Sequence, residues 1–600
     1  MFGKSLLFTC LFIYIYTYSL CVDAERFINE VVLDEKYDFI LKWKLDEQNI
    51  IFEMSAVTSG YVAIGFSPNG GMPGSDIVVG WVKNGKAFIS DRHATAYAKP
   101  EADTSQDYTL LYGREEGGRT TIGFSRALKT CDDKDNVLND DTMRIIWAVN
   151  NLDPEDYDDL SYHGSSRGVR SVLLTAAIEN RVELPHDAEY FEMFMPNVTV
   201  SSDRDTTYWC ASFAVPIFER PVHIVLAETI VQKGHEYLVH HLIMYGCKGT
   251  NTSWSSRCNS ERMPPDLQAC DRMMYGWAIG GGPLVLPEHV GISLGRKSDP
   301  TVIFIEMHYD NPALSPDFHD NSGVRLYYTP TLRQYEADVW ALGENVTPLQ
   351  SIPPNETSFK TFGVCFSNCT KKVLQEDIKL MLVMLHSHIA ARKISLQQYR
   401  NGKLIADLAI DDNYDFNLQE NRYLKPEKII KAGDDLVVTC TYNTVGRTYI
   451  TTGGQSTKNE MCLAYLLYYP RQTLAGSCLS NPSLQAYFEA FNIPAGSCEA
   501  EACLDTLASS VDPETLRQGL YDVSYKGKRL DICVDTDFEQ VDGVPYPEEF
   551  PVWFSENDRM EDTNDVCSEP NNSPSSSVTL RAASSTIAAL ILIVSWSLTL

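Results

Sequence analysis

Six hundred residues with a formal net charge of −30, 44% hydrophobic and 22% charged, make a globular chain of three or four domains. That charge excludes nucleic acid as a partner, because nothing here would neutralise phosphates. Its plainest consequence is solubility.

Residues 1–24 read as a signal peptide. Lys4 supplies the positive end, "SLLFTCLFIYIYTYSL" the apolar centre, and "VDA" a small-residue cleavage site after Ala24. Cleavage removes Cys10 and Cys21 and leaves 14 of the 16 cysteines, an even number that implies disulfides in a secreted chain. Six sequons agree with that compartment: Asn197, Asn251, Asn345, Asn355, Asn368 and Asn571.

Short alternating or apolar runs punctuated by Gly, Pro, Asn and Asp predict an all-β chain of sandwiches. "YDFILKWKLD" puts Phe39, Leu41, Trp43 and Leu45 on one face, "GYVAIGFSPNGGMPGSDIVVGWV" reads as strand, Gly-rich turn, strand, and "MRIIWAVN" closes a first domain over 35–150. The acidic "NLDPEDYDDL" reads as a linker. Two further domains follow at 185–350 and 355–535, joined through "VTPLQSIPPNETS". "DPETLRQGLYDV" predicts a helix with Asp512 as N-cap. An acidic, Ser/Pro-rich stalk is expected over 540–581. Residues 582–600 carry no charge and as a helix reach about 28 Å, enough to span a bilayer. The small residues of "NNSPSSS" ahead of an apolar tail fit a lipid-anchor signal as well. Both readings tether the chain to a membrane.

Five of the 12 histidines fall in three short motifs. His386 and His388 close the apolar run "IKLMLVML" at i and i+2, so a strand turns both imidazoles to one face. Neighbouring His240 and His241 share a metal only where the strand bulges, twists or ends; otherwise one is a core and one a surface histidine. His308 follows a buried-strand run and reads equally as a core histidine. Met461, beside Cys462, reads as core packing when taken alone. Taken as His240, His241, His308 and as His386, His388, Met461, the residues form two ligand sets. Imidazoles suit several metals, while a thioether selects copper over zinc.

"DTTYWC" (205–210), "VHHLIMYGC", "MHYDNP", "HSHIAARKI" and "GGQSTKNEMC" occur in order. By these motifs the chain resembles the copper type II, ascorbate-dependent monooxygenases, with a first region similar to a DOMON domain. The resemblance implies an N-terminal DOMON β-sandwich followed by two copper-binding, jelly-roll-like β-sandwich domains. It implies two copper ions per chain, ascorbate as electron donor and O2 as co-substrate. His240, His241 and His308 would hold one copper; His386, His388 and Met461 would hold the other, where oxygen binds. Tyr208 and His386 carry over as catalytic residues. The reaction implied inserts one oxygen atom into a C–H bond of a small, amine-type substrate. Also implied are the pairs Cys210–Cys258, Cys247–Cys270, Cys365–Cys478, Cys369–Cys533 and Cys440–Cys462, then Cys131–Cys567 and Cys498–Cys503. Some relatives of the DOMON domain bind haem through Met and His, for which Met72 and His163 are the analogues here. A turn methionine and a linker histidine are the simpler reading, and a sugar-binding or interaction role is equally open. The resemblance further implies a secretory-pathway protein held at the endoplasmic reticulum membrane, single-pass with the catalytic part luminal, a cell-surface lipid anchor being the alternative. A homo-oligomer is allowed. The competing functions are a catalytically silent binding protein on the same scaffold and a zinc hydrolase. The hydrolase would want a carboxylate or histidine at Met461 and an HExxH helix.

Overall fold

The computed structural model describes residue 27, residues 29–560 except 47, 176–182, 259–262, 269, 271, 312, 317, 537–538, 545–548, 552 and 556–558, and Cys567. The expected signal peptide, Asn571 and the apolar segment 582–600 lie outside the described residues. Among the described residues no helix is long and apolar enough to cross a membrane.

Alternation builds the first sandwich. Phe39, Leu41 and Trp43 point into a core with Phe52, Phe66 and Phe124, while Leu45 is exposed at the strand end. A five-stranded sheet packs on a six-stranded one. The sheet takes one more strand after residue 150. The strand Arg167–Leu173 returns to pair antiparallel with Thr142–Val149. The acidic stretch read as a linker therefore stays on this sandwich. Tyr61 donates to Ser161 O at 2.8 Å, and Tyr157 packs edge-on against Trp81. Charge marked that stretch as solvated but could not reveal the strand beyond it.

Each later domain has two large sheets and a two-stranded one. In the first, Thr206–Ala214, Val302–Asp310 and Val239–Cys247 lie side by side. In the second, Ile378–His386 pairs with Leu463–Tyr469. The boundary between them falls earlier than the proline-rich joint suggests. Asp338–Gly343 already pairs with Leu463–Tyr469, so the segment placed at the end of the first copper domain is a strand of the second. The two domains share a core: Met381, Leu382, Leu467 and Tyr469 pack among Val239, Leu242 and Ile303. The helix Pro513–Lys526 forms with Asp512 accepting from Thr515 N at 3.1 Å. The expected stalk begins later than residue 540. Trp553 and Phe554 pack on Tyr399, and Phe550 on Phe362, because apolar rings outweigh the local acidic composition.

Disulfides join Cys210 to Cys258, Cys247 to Cys270, Cys365 to Cys478, Cys369 to Cys533, Cys440 to Cys462 and Cys498 to Cys503. Cys131 is disulfide-bonded as well. Asn197, Asn251 and Asn355 are exposed, whereas Asn345 and Asn368 are half-buried.

Candidate metal centres

His241 lies opposite His308 across the strand pair, and the register slips between Val239 and His241. That bulge at His240 lets both neighbouring histidines face His308, as a regular strand would not. Nδ1 of His241 lies 3.1 Å from Nδ1 of His240 and 3.3 Å from Nδ1 of His308. All three rings are buried. A neutral imidazole carries one N–H and one lone pair. A cation at the convergence accepts three lone pairs at once, which no placement of protons between the rings achieves. Burial drives every one of these histidines toward the neutral form. His240 is pushed down to about 4, and His241 and His308 well below the usual value, with the neighbouring imidazoles adding to the effect.

Tyr208 stands opposite His308 on Thr206–Ala214. Its ring stacks on His308 at 4.5 Å and 6°, and its hydroxyl donates to Gln455 O at 3.2 Å, across the domain junction. Burial pushes that hydroxyl's pKa up.

The second centre gathers around the end of Ile378–His386. His386 Nε2 is 3.3 Å from Met461 Sδ, and His388 lies edge-to-face with His386 at 5.4 Å. Both tautomers are fixed from outside. His386 Nδ1 donates to Gln419 Oε1 at 2.7 Å, and His388 Nδ1 donates to Asn459 O at 3.1 Å. Each ring therefore keeps its lone pair on Nε2. Burial lowers His386, and lowers His388 to about 3. The donor set, two neutral imidazoles and a thioether, fits copper, and Cu(I) best.

Glu460 holds this turn in shape. Its carboxylate accepts from Ser387 Oγ and His388 N, both at 3.0 Å, and from Ala390 N at 2.6 Å. Burial raises it to about 7. Tyr442 donates to Met461 O at 2.8 Å, and the Cys440–Cys462 bridge secures the next residue.

Sequence reasoning missed the segment Asp411–Gln419. Phe416 stacks on His240 at 4.4 Å and meets His388 edge-on at 6.0 Å, so it stands between the centres. Tyr414 bonds the backbone of Ser387, and Gln419 orients His386. The far side of this segment is held by the first sandwich. Thr142 donates to Asp411 through N at 3.0 Å and Oγ1 at 2.6 Å, Arg144 donates to Asn413 O and Tyr414 O, and Ser171 donates to Asp415. "DDNYDFNLQE" reads as a polar loop, and no periodicity marks it. The two centres themselves are adjacent, with His241 and His386 rings 6.2 Å apart, edge to face.

In the first sandwich, Met72 and His163 line one cavity of about 640 Å³ on the outer face of the six-stranded sheet, with Tyr61, Tyr97 and Tyr162. His163 Nδ1 donates to the carbonyl of Gly164.

A fold of one DOMON-like sandwich and two sandwiches carrying paired histidine motifs defines a class of copper oxidoreductase, and the comparisons agree. Residues 35–150 match the DOMON domain, 191–316 the N-terminal domain of the copper type II ascorbate-dependent monooxygenases, and 335–491 their C-terminal domain. DBH-like monooxygenase protein 1 of Homo sapiens is 39% identical over 469 residues, covering 77% of this chain and 76% of that protein. MOXD1 homolog 1 of Drosophila melanogaster is 32% identical over 496 residues, 79% and 71% of the two chains. Dopamine beta-hydroxylase of Rattus norvegicus is 31% identical over 471 residues, 77% and 76% of the two chains. The chain belongs to the copper type II ascorbate-dependent monooxygenase family.

Proposed function

We propose that this protein is an active monooxygenase that hydroxylates a C–H bond of a small amine-type substrate with O2 and ascorbate, using two copper ions per chain. One observation carries the reading: both donor sets are complete, their five histidines are neutral and buried, and the tautomers of the second are fixed by Gln419 and Asn459. Copper, when bound, supplies the one-electron chemistry that activates oxygen. The chain's own part is to present three Nδ1 donors in the first centre, and two Nε2 donors and a thioether in the second. Burial keeps protons off these nitrogens, and Phe416 holds the centres side by side. Tyr208, stacked on His308, orients that ring. The amine class rests on likeness to dopamine beta-hydroxylase.

The disulfides belong to an oxidising compartment, so we place the protein in the secretory pathway. A tether through residues 582–600, at the endoplasmic reticulum or elsewhere, rests on sequence alone.

The test is copper per chain and ascorbate-dependent oxygen uptake with a panel of amines, for wild type and Met461→Ala. The reading expects about two coppers, amine-stimulated uptake, and loss of one copper and of uptake in the variant, with affinity at that centre down at least about 100-fold. Two coppers with no uptake on any amine favours the silent binding protein. Zinc in place of copper rejects both ligand sets, and copper content indifferent to Met461 rejects the second.

A further inference from the structure

Phe304, Glu306 and His308 alternate along Val302–Asp310 and so share one face of its sheet. Tyr208 and Cys210 lie opposite His308 and Glu306 on one neighbouring strand, and Ile243 and Tyr245 lie opposite Glu306 and Phe304 on the other. Directly opposed residues point to the same side of a sheet. The face that carries His241 and His308 therefore also carries Glu306, flanked by Tyr208 and Tyr245. The second copper domain meets this face with His386 and Tyr465. The Tyr465 ring lies 6.4 Å from that of His386, which in turn lies 6.2 Å from that of His241. Glu306 thus stands at the junction of the two copper domains, two residues from a ligand of the first centre.

This carboxylate has no partner in the protein. Its Oε2 lies 3.9 Å from Sγ of Cys210, but that sulfur is disulfide-bonded and has no proton to give. Among the described residues no cationic side chain acts on it. The imidazoles beside it are held neutral by burial. Glu306 is half-buried rather than sealed in, as are Tyr208, Ile243, Tyr245 and Tyr465, so the face keeps contact with solvent. Tyr245 and Tyr465 also line a cavity of about 150 Å³ at the junction. The field of the carboxylate reaches all three tyrosines, where it adds to burial in raising each hydroxyl's pKa. Setting a carboxylate in such a place without a counter-charge is unfavourable. An ammonium ion supplies one, since it donates to the carboxylate and is attracted by aromatic faces.

We propose that Glu306 is the counter-ion of the substrate: it holds a protonated amino group among Tyr208, Tyr245 and Tyr465 and selects ammonium-bearing substrates over neutral ones. This rests on the amine reading above and adds to it the residue that recognises the amine.

The experiment is calorimetric binding to the full, copper-loaded chain without ascorbate, so that nothing turns over. The probes are benzylamine, 2-phenylethylamine and hexylamine, each against the alcohol that has a hydroxyl in place of the amino group. Wild type, Glu306→Gln and Glu306→Asp are compared. Wild type should bind at least one amine about tenfold or more tighter than its alcohol, the size of one charge-assisted hydrogen bond. Glu306→Gln should lose that preference with alcohol binding and copper content unchanged, and Glu306→Asp, which keeps the charge, should retain part of it. With ascorbate and oxygen, Glu306→Gln should raise KM for the amine by a similar factor and change kcat less. An amine preference that survives Glu306→Gln overturns the proposal, as does a preference lost only together with copper. A wild type that binds amine and alcohol alike also overturns it, and that readout needs no variant to fold. Amine binding abolished by Glu306→Gln, with no oxygen uptake by the wild type, would keep Glu306 as the partner of the amine and reject only the monooxygenase reading. Amine-stimulated uptake with a KM indifferent to Glu306→Gln would do the reverse.

Discussion

The three-histidine centre stands on two neighbouring strands of one sheet, whereas the histidine–methionine centre is gathered from a strand end and two loops. In the first, backbone pairing places the rings: His241 faces His308 across the ladder, and the bulge brings in His240. Nε2 of His240 and of His308 has no hydrogen-bond partner. In the second, hydrogen bonds do the placing. Gln419, Asn459 and Glu460 fix His386, His388 and the turn between them. The difference teaches that a strand ladder can orient ligands by register alone. A centre at a strand end needs a surrounding shell, and part of that shell is braced by another domain through Thr142, Arg144 and Ser171.

The sharpest way to break this comparison is His241→Ala. It removes the Nδ1 to which both other rings turn. Copper at the three-histidine centre should be lost, while the Met461 centre keeps its metal. Copper per chain measured after gel filtration should fall from about two to about one. Loss of both would mean that the centres assemble only together.

Glu460→Ala attacks the shell instead of a ligand. It leaves the His388 and Ala390 amides without their buried acceptor, at about 1–3 kcal/mol for each donor left unpaired, while the Ser387 hydroxyl turns to Met461 O. Copper affinity at the Met461 centre should drop about 10–100-fold, with the three-histidine centre unchanged. Glu460→Gln, which keeps an acceptor oxygen, should recover part of the loss. Competition with a copper chelator separates these outcomes.

Acid should reveal what the two centres share. A solvated histidine ligand binds protons below its ordinary value of about 6.5. Here burial lowers His240 to about 4 and His388 to about 3, with His241, His308 and His386 also lowered. The folded, copper-free protein therefore holds few protons for copper to displace above pH 5. Copper affinity should stay nearly flat from pH 7.5 to about 5 and fall as pH drops through about 4. A decline centred near 6.5 would mean that the rings are solvated before metal arrives.

The gentlest prediction concerns the brace. Thr142→Val removes one hydroxyl donor from Asp411 while the backbone amide and Arg422 remain. Copper affinity at the Met461 centre should weaken a few-fold, and at the three-histidine centre less, since the braced segment orients His386 directly and touches His240 through Phe416. Equal effects at both centres would move the brace's main role to Phe416.

The ligands were legible because their chemistry is rare and local. Two histidines two apart at the end of an apolar run, and a methionine where zinc would want another donor, narrow the metal before any fold is known. Alternation gave the sandwiches, and Asp512 as N-cap marked the helix. The domain limits were less legible. Arg167–Leu173 and Asp338–Gly343 belong where they pair, and strand pairing is not written in composition. The rings of Trp553 and Phe554 show the same limit at the other end of the chain.

What the sequence by itself offered is therefore a candidate donor set and the kind of layer each segment joins, because side-chain chemistry and period-two patterning are local properties. What only the tertiary structure decided is which nitrogen of each ring faces inward, that Phe416 stands between the centres, and that a segment held by the first sandwich shapes the second. These depend on groups hundreds of residues apart meeting at hydrogen-bonding distance, as Thr142 and Asp411 do, and such meetings are fixed by packing rather than by neighbouring residues.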